Sequence, residues 1–126
     1  MIYNDSEVYK VKYFTDKRTG RTPVRDYIDD APVKDRSKIF KYIEYLRQSK
    51  GVLDEPYSKH IRGKIRELRV DFANNRHRIF YFTFVGQNII LLHAFRKNTA
   101  KTPESEIIKA ENNLNQVINN QELYVD

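Results

Sequence analysis

The middle of the chain contains three strand-like segments in immediate succession, and this run constrains the fold more than any other feature. They are residues 64–70, 76–84 and 88–96, and the second is the richest in Ile, Phe and Tyr. The polar linkers between them, residues 73–75 and 86–88, suit tight antiparallel connections. The sequence therefore predicts an antiparallel meander of three consecutive strands.

The segment before the meander predicts one strand and two helices. Residues 8–14 alternate Val and Tyr with Lys, which indicates a strand with one buried face, at a sheet edge or in a hairpin-like start. Pro23 after Thr22 predicts a short helix to Ile28, because proline suits a first helical position and threonine an N-cap. A second helix is predicted from Pro32 to near Ser49. Its apolar stripe falls at i, i+3, i+4 and i+7 and consists of Ile39, Tyr42, Ile43 and Leu46.

A last helix is predicted after the meander, from Pro103 to about Asn120, with Thr102 as its N-cap. The predicted order is therefore β-α-α-β-β-β-α within a single domain, residues 1–126. Such an order favours an α+β fold with a small, mostly antiparallel sheet backed by helices on one face. The other face is predicted to be bare.

Positive charge is concentrated in residues 59–101. This stretch holds ten Lys and Arg, two acids and all three histidines, whereas the remainder of the chain is slightly acidic. A localised basic surface favours nucleic acid or an acidic protein as the partner. The alternative is that these cations are solvated flanks of the sheet. There is no cysteine, and no long apolar run or signal-peptide pattern, so we predict a cytoplasmic protein without disulfides or a membrane partner.

Strand alternation divides the meander side chains between two faces. Neither face of any strand is purely polar, so periodicity alone does not assign them. The residues that we expect to face the helices are Leu68, Ile79, Tyr81, Leu92 and Ala94. The residues that we expect on the open face are Glu67, Arg69, Arg78, Phe80, His93, Phe95 and Lys97.

Three motifs resemble a known family. They are K-x-I-R-G-K-I-R-E-L-R at residues 59–69, R-I-F-Y-F at 78–82 and L-L-H-A-F-R-K-N-T-x-K-T-P at 91–103. In this order and spacing they resemble the phage-derived HigB-like branch of the RelE/ParE toxin superfamily. One departure is visible, since the chain has Arg96 and Lys97 where the family commonly has two lysines.

The resemblance implies a RelE-like fold and the toxin of a type II toxin–antitoxin pair. Such toxins are typically ribosome-dependent mRNA endonucleases. Their cognate antitoxins often contain a helix-turn-helix. The partners implied for this chain are therefore mRNA, the ribosome and an antitoxin.

Metal-independent RNA cleavage requires a base for the ribose 2′-OH, cations for the phosphate and an acid for the leaving oxygen. The histidines are not spaced as a ligand set, so we predict no metal and no cofactor. The candidate catalytic residues are Arg69 and Arg78 as phosphate clamps, His93 as base or acid, and Lys97 as phosphate ligand or acid. The alternatives are a salt bridge from Arg69 to Glu67, a structural role for His93 and an ordinary surface position for Lys97.

Further candidates for RNA binding are the cations around this set and one aromatic ring. They are Lys59, Arg62, Lys64, Arg96, Lys101 and Phe95. Phe95 has the alternative of a core position, as Tyr81 does. His60 and His77 are expected at the sheet margin and are given no catalytic role.

Two other functions stay open at this point. A non-catalytic toxin resembling the ParE branch would act on DNA gyrase. A degenerate member would only bind its antitoxin or a nucleic acid.

Overall fold

The computed structural model describes residues 8–84 and 86–125. The strands and helices, in chain order, are β1 (Lys10–Tyr13), α1 (Pro23–Asp30), α2 (Val33–Gln48), β2 (Ser58–Arg62), β3 (Ile65–Phe72), β4 (Asn75–Phe84), β5 (Asn88–Arg96) and α3 (Glu104–Asn119). A short 3₁₀ turn, Gln121–Leu123, follows α3. The predicted α+β class with a mostly antiparallel sheet is confirmed.

One sheet contains all five strands in the order β1-β5-β4-β3-β2. Strands β2 to β5 form an antiparallel meander, whereas β1 pairs in parallel with β5. Of the two predictions for β1, the edge position is therefore confirmed. Strand β2 is absent from the predicted order. Its sequence, Ser-Lys-His-Ile-Arg, is mostly exposed at the opposite edge and so lacks the apolar alternation that would mark a strand.

Helices cover both faces of the sheet, so the prediction of helices on one face and a bare second face is wrong. Helices α1 and α2 bury Val24, Ile28 and Ile39 against one face. Helix α3 buries Ile107, Ala110 and Val117 against the other. The sequence pattern shows that α3 is amphipathic, but it does not show which face of the sheet the helix covers.

A β-bulge in β5 changes the assignment of Leu92. In the neighbouring strand β4, the consecutive residues Phe80 and Tyr81 pair with His93 and Leu91, so Leu92 between them has no partner in β4. Leu92 and His93 consequently both lie on the α3 face. Leu92 was predicted to share a face with Ala94, and that prediction is wrong because simple alternation does not continue through the bulge.

The other expected face assignments agree with the strand pairing. Leu68, Ile79, Tyr81 and Ala94 lie in the core beneath α1 and α2. The seven residues expected on the opposite face do share it, but α3 covers part of that face. In α3, Pro103 occupies the N-cap position that was assigned to Thr102, a shift of one residue. Within the described residues, no helix is long and apolar enough to cross a membrane.

Candidate active site

The α3 face of the sheet brings several of the candidate residues together near one end of β3, β4 and β5. Cross-strand pairing places Arg69 opposite Arg78, and Arg78 opposite Phe95. Two pairs further along, and therefore on the same face, Glu67 lies opposite Phe80. Side chains that pair across an antiparallel sheet have their Cβ atoms about 5 Å apart. Arg69 and Arg78 are therefore neighbours by construction of the sheet.

Glu67 lies at the centre of this group and its side chain is fully buried, with 0% exposed. Arg69 Nε donates a hydrogen bond of 2.8 Å to Glu67 Oε1. Glu67 Oε2 has no hydrogen-bond partner. Lys59 of β2 pairs with Glu67 from the other side. The salt bridge that was the alternative for Arg69 is thus present, and it anchors the guanidinium to a buried carboxylate.

Arg78 is held more tightly than the sequence indicates. Its side chain is 6% exposed, and its Nη1 donates hydrogen bonds to Asp71 Oδ1 at 2.7 Å and to the His77 carbonyl at 3.0 Å. Its Nε is buried without a hydrogen-bond partner. Arg69, Asp71 and Arg78 together line a pocket of about 310 Å³ that opens beside Tyr57. The guanidinium therefore reaches the surface through this pocket.

Lys97 joins the same group from the end of β5. Its backbone NH donates to the Arg76 carbonyl at 2.8 Å. Partial burial lowers the pKa of the Lys97 ammonium, and the positive charges of Arg78 and Arg69 lower it further, whereas Glu67 opposes the shift. A lysine with a lowered pKa gives up its proton more readily, which is the property that a general acid requires.

His93 is separated from Lys97 along β5. Four residues of extended strand place their Cα atoms about 13 Å apart. His93 Nε2 is 2.5 Å from Glu106 Oε2 of α3, and its ring is stacked on Phe95. The structure therefore gathers Arg69, Arg78 and Lys97 and places His93 in a separate pair with a carboxylate. A carboxylate partner fixes the orientation of an imidazole, which serves either a structural or a catalytic role.

The other proposed RNA-binding residues are dispersed. Lys64 and Lys101 are exposed in turns, and Arg62 is paired with Glu104 at 2.6 Å. Arg96 lies on the α1 side, since it pairs with His77 across β4 and β5. The Phe95 ring is buried against Phe80 and His93, which is the core position left open by the sequence. It does not offer a free face to a base.

His77 has an interior position that the sequence analysis missed. It is buried rather than at the sheet margin, with Nε2 2.7 Å from Asp35 Oδ2 and Nδ1 2.7 Å from the Tyr27 hydroxyl. This chain of contacts joins α1, α2 and β4 beside a pocket of about 250 Å³. The hydrogen bond from His77 is the main cause of a lowered Asp35 pKa, and burial raises the pKa of Tyr27 to about 12. A histidine in a basic strand gave no signal of this partnership.

The arrangement can bind phosphate. Guanidinium and ammonium groups bind phosphate oxygens and stabilise the charge that develops when a phosphodiester is attacked. Arg69 and Arg78 supply such groups in the lining of one pocket, and Lys97 lies close enough for their charges to act on its ammonium. Among residues 8–84 and 86–125, no three His, Asp or Glu side chains converge in a way that would hold a metal ion.

Comparison with known proteins identifies the family. The family model described as "Phage derived protein Gp49-like (DUF891)" matches residues 26–115, from α1 into α3. The chain belongs to this family. Two proteins of Mycobacterium tuberculosis, from strains H37Rv and CDC 1551, are each named "Probable endoribonuclease HigB1". Each is 35% identical to the chain over 96 residues, which are 76% of the chain and 74% of the relative. The resemblance to HigB-like toxins is thereby confirmed.

Proposed function

We propose that this chain is the toxin of a type II toxin–antitoxin pair and that it cleaves mRNA in the cytoplasm without a metal ion. The observation that carries the proposal is the convergence of Arg69, Arg78 and Lys97 around the buried Glu67 carboxylate. The name of the Mycobacterium tuberculosis relatives supports the same activity. A shallow, localised cationic pocket suits a polyanionic chain better than a small metabolite.

Each residue has a distinct role in this proposal. Arg69 and Arg78 hold the scissile phosphate and stabilise its additional negative charge. Lys97 protonates the leaving 5′-oxygen, because its ammonium has a lowered pKa. Glu67 is a positioning residue. Its negative charge offsets the repulsion among the neighbouring cations and fixes Arg69 through the 2.8 Å hydrogen bond.

Of the three groups that cleavage requires, the base that activates the 2′-OH is the one whose candidate lies apart from the others. His93 is the proposed base, and because its Cα lies about 13 Å from that of Lys97, the two side chains would have to approach one phosphodiester group from opposite sides. We propose that the ribosome holds the mRNA with the scissile phosphate beside Arg78 and the adjacent 2′-OH turned towards His93. This makes cleavage ribosome-dependent. The exposed Lys59, Lys64 and Lys101 would contact phosphates further along the strand.

The proposed antitoxin is an acidic or helix-turn-helix protein that neutralises the toxin. A protein that covers the cationic pocket would block access of RNA directly. The excess of basic residues in the chain, with a net charge of +6, favours rapid association with an acidic partner.

The test is induced expression of the chain with and without its neighbouring gene, followed by mapping of mRNA 5′ ends. We expect growth arrest and new 5′ ends within translated codons, and loss of both in Arg78→Ala. Loss of one oxyanion-stabilising group typically lowers a rate about a hundredfold to a thousandfold. Arg18→Ala is the matched control, because Arg18 is 81% exposed in the turn before α1.

Three outcomes separate this proposal from its competitors. Growth arrest with intact mRNA would contradict the endonuclease and favour the gyrase-directed toxin. Absence of toxicity would favour a binding-only member. Cleavage of purified mRNA at the rate seen in translating extracts would retain the nuclease and contradict its dependence on the ribosome.

A further inference from the structure

A stripe of two lysine and two tyrosine side chains lies on α2 outside the site described above. Lys38, Lys41, Tyr42 and Tyr45 have the spacing i, i+3, i+4 and i+7, so they occupy one side of the helix. This stripe runs beside the buried Ile39, and within it Tyr42 is half-buried against the core beneath α1 and α2, whereas Lys41 and Tyr45 are exposed. Tyr45 is 42% exposed. Tyrosines with this much exposed ring are available for contact with a partner.

The aromatic rings of this surface contact one another, and the lysine ammonium groups lie over the rings. The Tyr42 ring centroid lies 5.8 Å from that of Tyr45 and 5.8 Å from that of Tyr57, in the loop before β2. Lys38 Nζ lies 5.4 Å from the Tyr42 ring centroid, and Lys41 Nζ lies 5.9 Å from the Tyr45 ring centroid. Contacts of this kind hold a ring and a cation in fixed relative positions. We refer to these five residues as the tyrosine–lysine platform.

The platform is continuous with the cationic site. Three adjoining concavities share Tyr42 as a common wall. One lies towards Leu53 and Tyr57, and the second lies over Lys41 and Tyr45. The third is the 310 Å³ pocket that also contains Arg69 and Arg78. A single extended ligand can therefore lie on the platform and in the site together.

The chemistry of the lining favours a single-stranded nucleic acid. Aromatic faces accept stacked bases of any sequence, and ammonium groups bind the phosphates between them. Among the described residues that line the three concavities, the one carboxylate is Asp71, and Arg78 neutralises it at 2.7 Å. Leu53 and Pro56 are the aliphatic side chains among these lining residues. An amphipathic helix of a protein partner would need a broader aliphatic surface.

We propose that the tyrosine–lysine platform is an extended binding site for single-stranded RNA. It takes the nucleotides adjacent to those at Arg69 and Arg78. Bases stack on Tyr45 and Tyr57 while Lys38 and Lys41 bind the backbone. The inference deepens the proposed nuclease function and rests on it for the identity of the ligand as the substrate strand. Its occupancy would set how strongly the mRNA is held, independently of the chemical step.

Binding is measured with a fluorescent single-stranded RNA of about twelve nucleotides, a length within the range that such surfaces cover. The RNA carries 2′-O-methyl groups throughout, so it cannot be cleaved and only affinity is read. The double variant Tyr45→Ala/Tyr57→Ala is compared with Phe40→Ala. Phe40 is the matched control because it is a 45% exposed aromatic residue of the same helix that does not line the concavities.

We expect the double variant to bind the RNA at least about fivefold more weakly, since removal of one stacked ring typically costs that factor or more. Phe40→Ala should bind as the unchanged chain does. For Lys41→Ala, the dependence of log K on log salt should become shallower by about 0.7, the value of one phosphate contact to a single strand.

Several results would overturn the inference. Equal affinities of the double variant and Phe40→Ala would remove the platform from RNA binding, as would failure of the unchanged chain to bind the RNA. Loss of antitoxin binding with unchanged RNA affinity would assign the platform to a protein partner. Failure of the proposed function is distinguishable, because a chain that binds RNA through the platform and produces no new mRNA 5′ ends contradicts only the nuclease.

Discussion

Replacing Arg69 with methionine leaves the Glu67 carboxylate buried without its ion partner. The Glu67 side chain is 0% exposed, and Arg69 Nε donates a hydrogen bond of 2.8 Å to its Oε1. Its second oxygen already has no partner. Methionine retains most of the volume of the arginine stem, so the substitution removes charge and hydrogen bonding with little change in packing.

Breaking a buried ion pair by removal of one partner typically costs about 3–5 kcal/mol, because an uncompensated charge remains in the interior. We expect Arg69→Met to lie in this range. The total stability of a domain is about 5–15 kcal/mol, so the loss is a large share of it. In urea it corresponds to a fall in the midpoint of about 2 M.

The assay is equilibrium unfolding in urea, with two companion variants. Arg78→Met removes a cation whose partner, Asp71, is 61% exposed and stays hydrated, so the lost ion pair should cost about 1 kcal/mol or less. Glu67→Gln/Arg69→Met removes both charges and should recover most of the stability lost in the single variant. The double variant thus separates the buried charge from any general damage to the strand.

The size of the loss at neutral pH decides the argument. A loss below about 1 kcal/mol at neutral pH would refute the reasoning, because the surroundings would then satisfy Glu67 without Arg69.

Three further predictions follow from separate contacts. Lys97→Arg should retain RNA affinity but lose cleavage, since arginine keeps its proton. In the unchanged chain, cleavage should decline as pH rises through the Lys97 pKa, which is lowered from the usual value of about 10.4. A pH profile of cleavage that stays flat to pH 10 would contradict the acid role. On acidification, Asp35→Asn should lose less thermal stability than the unchanged chain. The lowered Asp35 pKa stabilises the folded state at pH values above the unfolded pKa of about 3.9, and this stability is lost as pH falls through the folded pKa. Melting temperatures of the two proteins that fall in parallel from pH 6 to pH 3 would contradict it. Gly51→Ala should lower the melting temperature more than Gly20→Ala. Both glycines have positive φ, but an added Cβ at Gly51 would lie 2.6 Å from Thr83 Oγ1, whereas a Cβ at Gly20 would have no neighbouring atom within 4 Å. Equal falls in melting temperature would exclude a steric contribution.

Local sequence patterns predicted the helices and strands whose buried residues recur at the period of the element. Pro23 and the stripe containing Ile39 indicate α1 and α2 because proline and i, i+4 spacing act within one turn. Strands β3 to β5 are indicated in the same way. Strand β2 was missed because its residues lie at an edge, where a strand needs no apolar alternation.

The arrangement of the site depends on information that is not local. The side of the sheet that α3 covers, and the bulge at Leu92, follow from packing between elements distant in sequence. Arg69 and Arg78 could be placed on one face because alternation is simple in their strands. The contact between His77 and Asp35 joins residues from different elements, and neither residue type predicts the presence of the other.

The parallel pairing of β1 with β5 has a consequence for the order of folding. Phe84 and Lys10 both pair with Asn88, but the second pairing closes a loop that is longer by a factor of about 20. By loop-closure entropy alone this costs about 2.7 kcal/mol more than the β4–β5 turn. Strand β1 should therefore join the sheet after the meander has formed. It should also be the first strand to exchange its amide protons with solvent, while β3 and β4 remain protected.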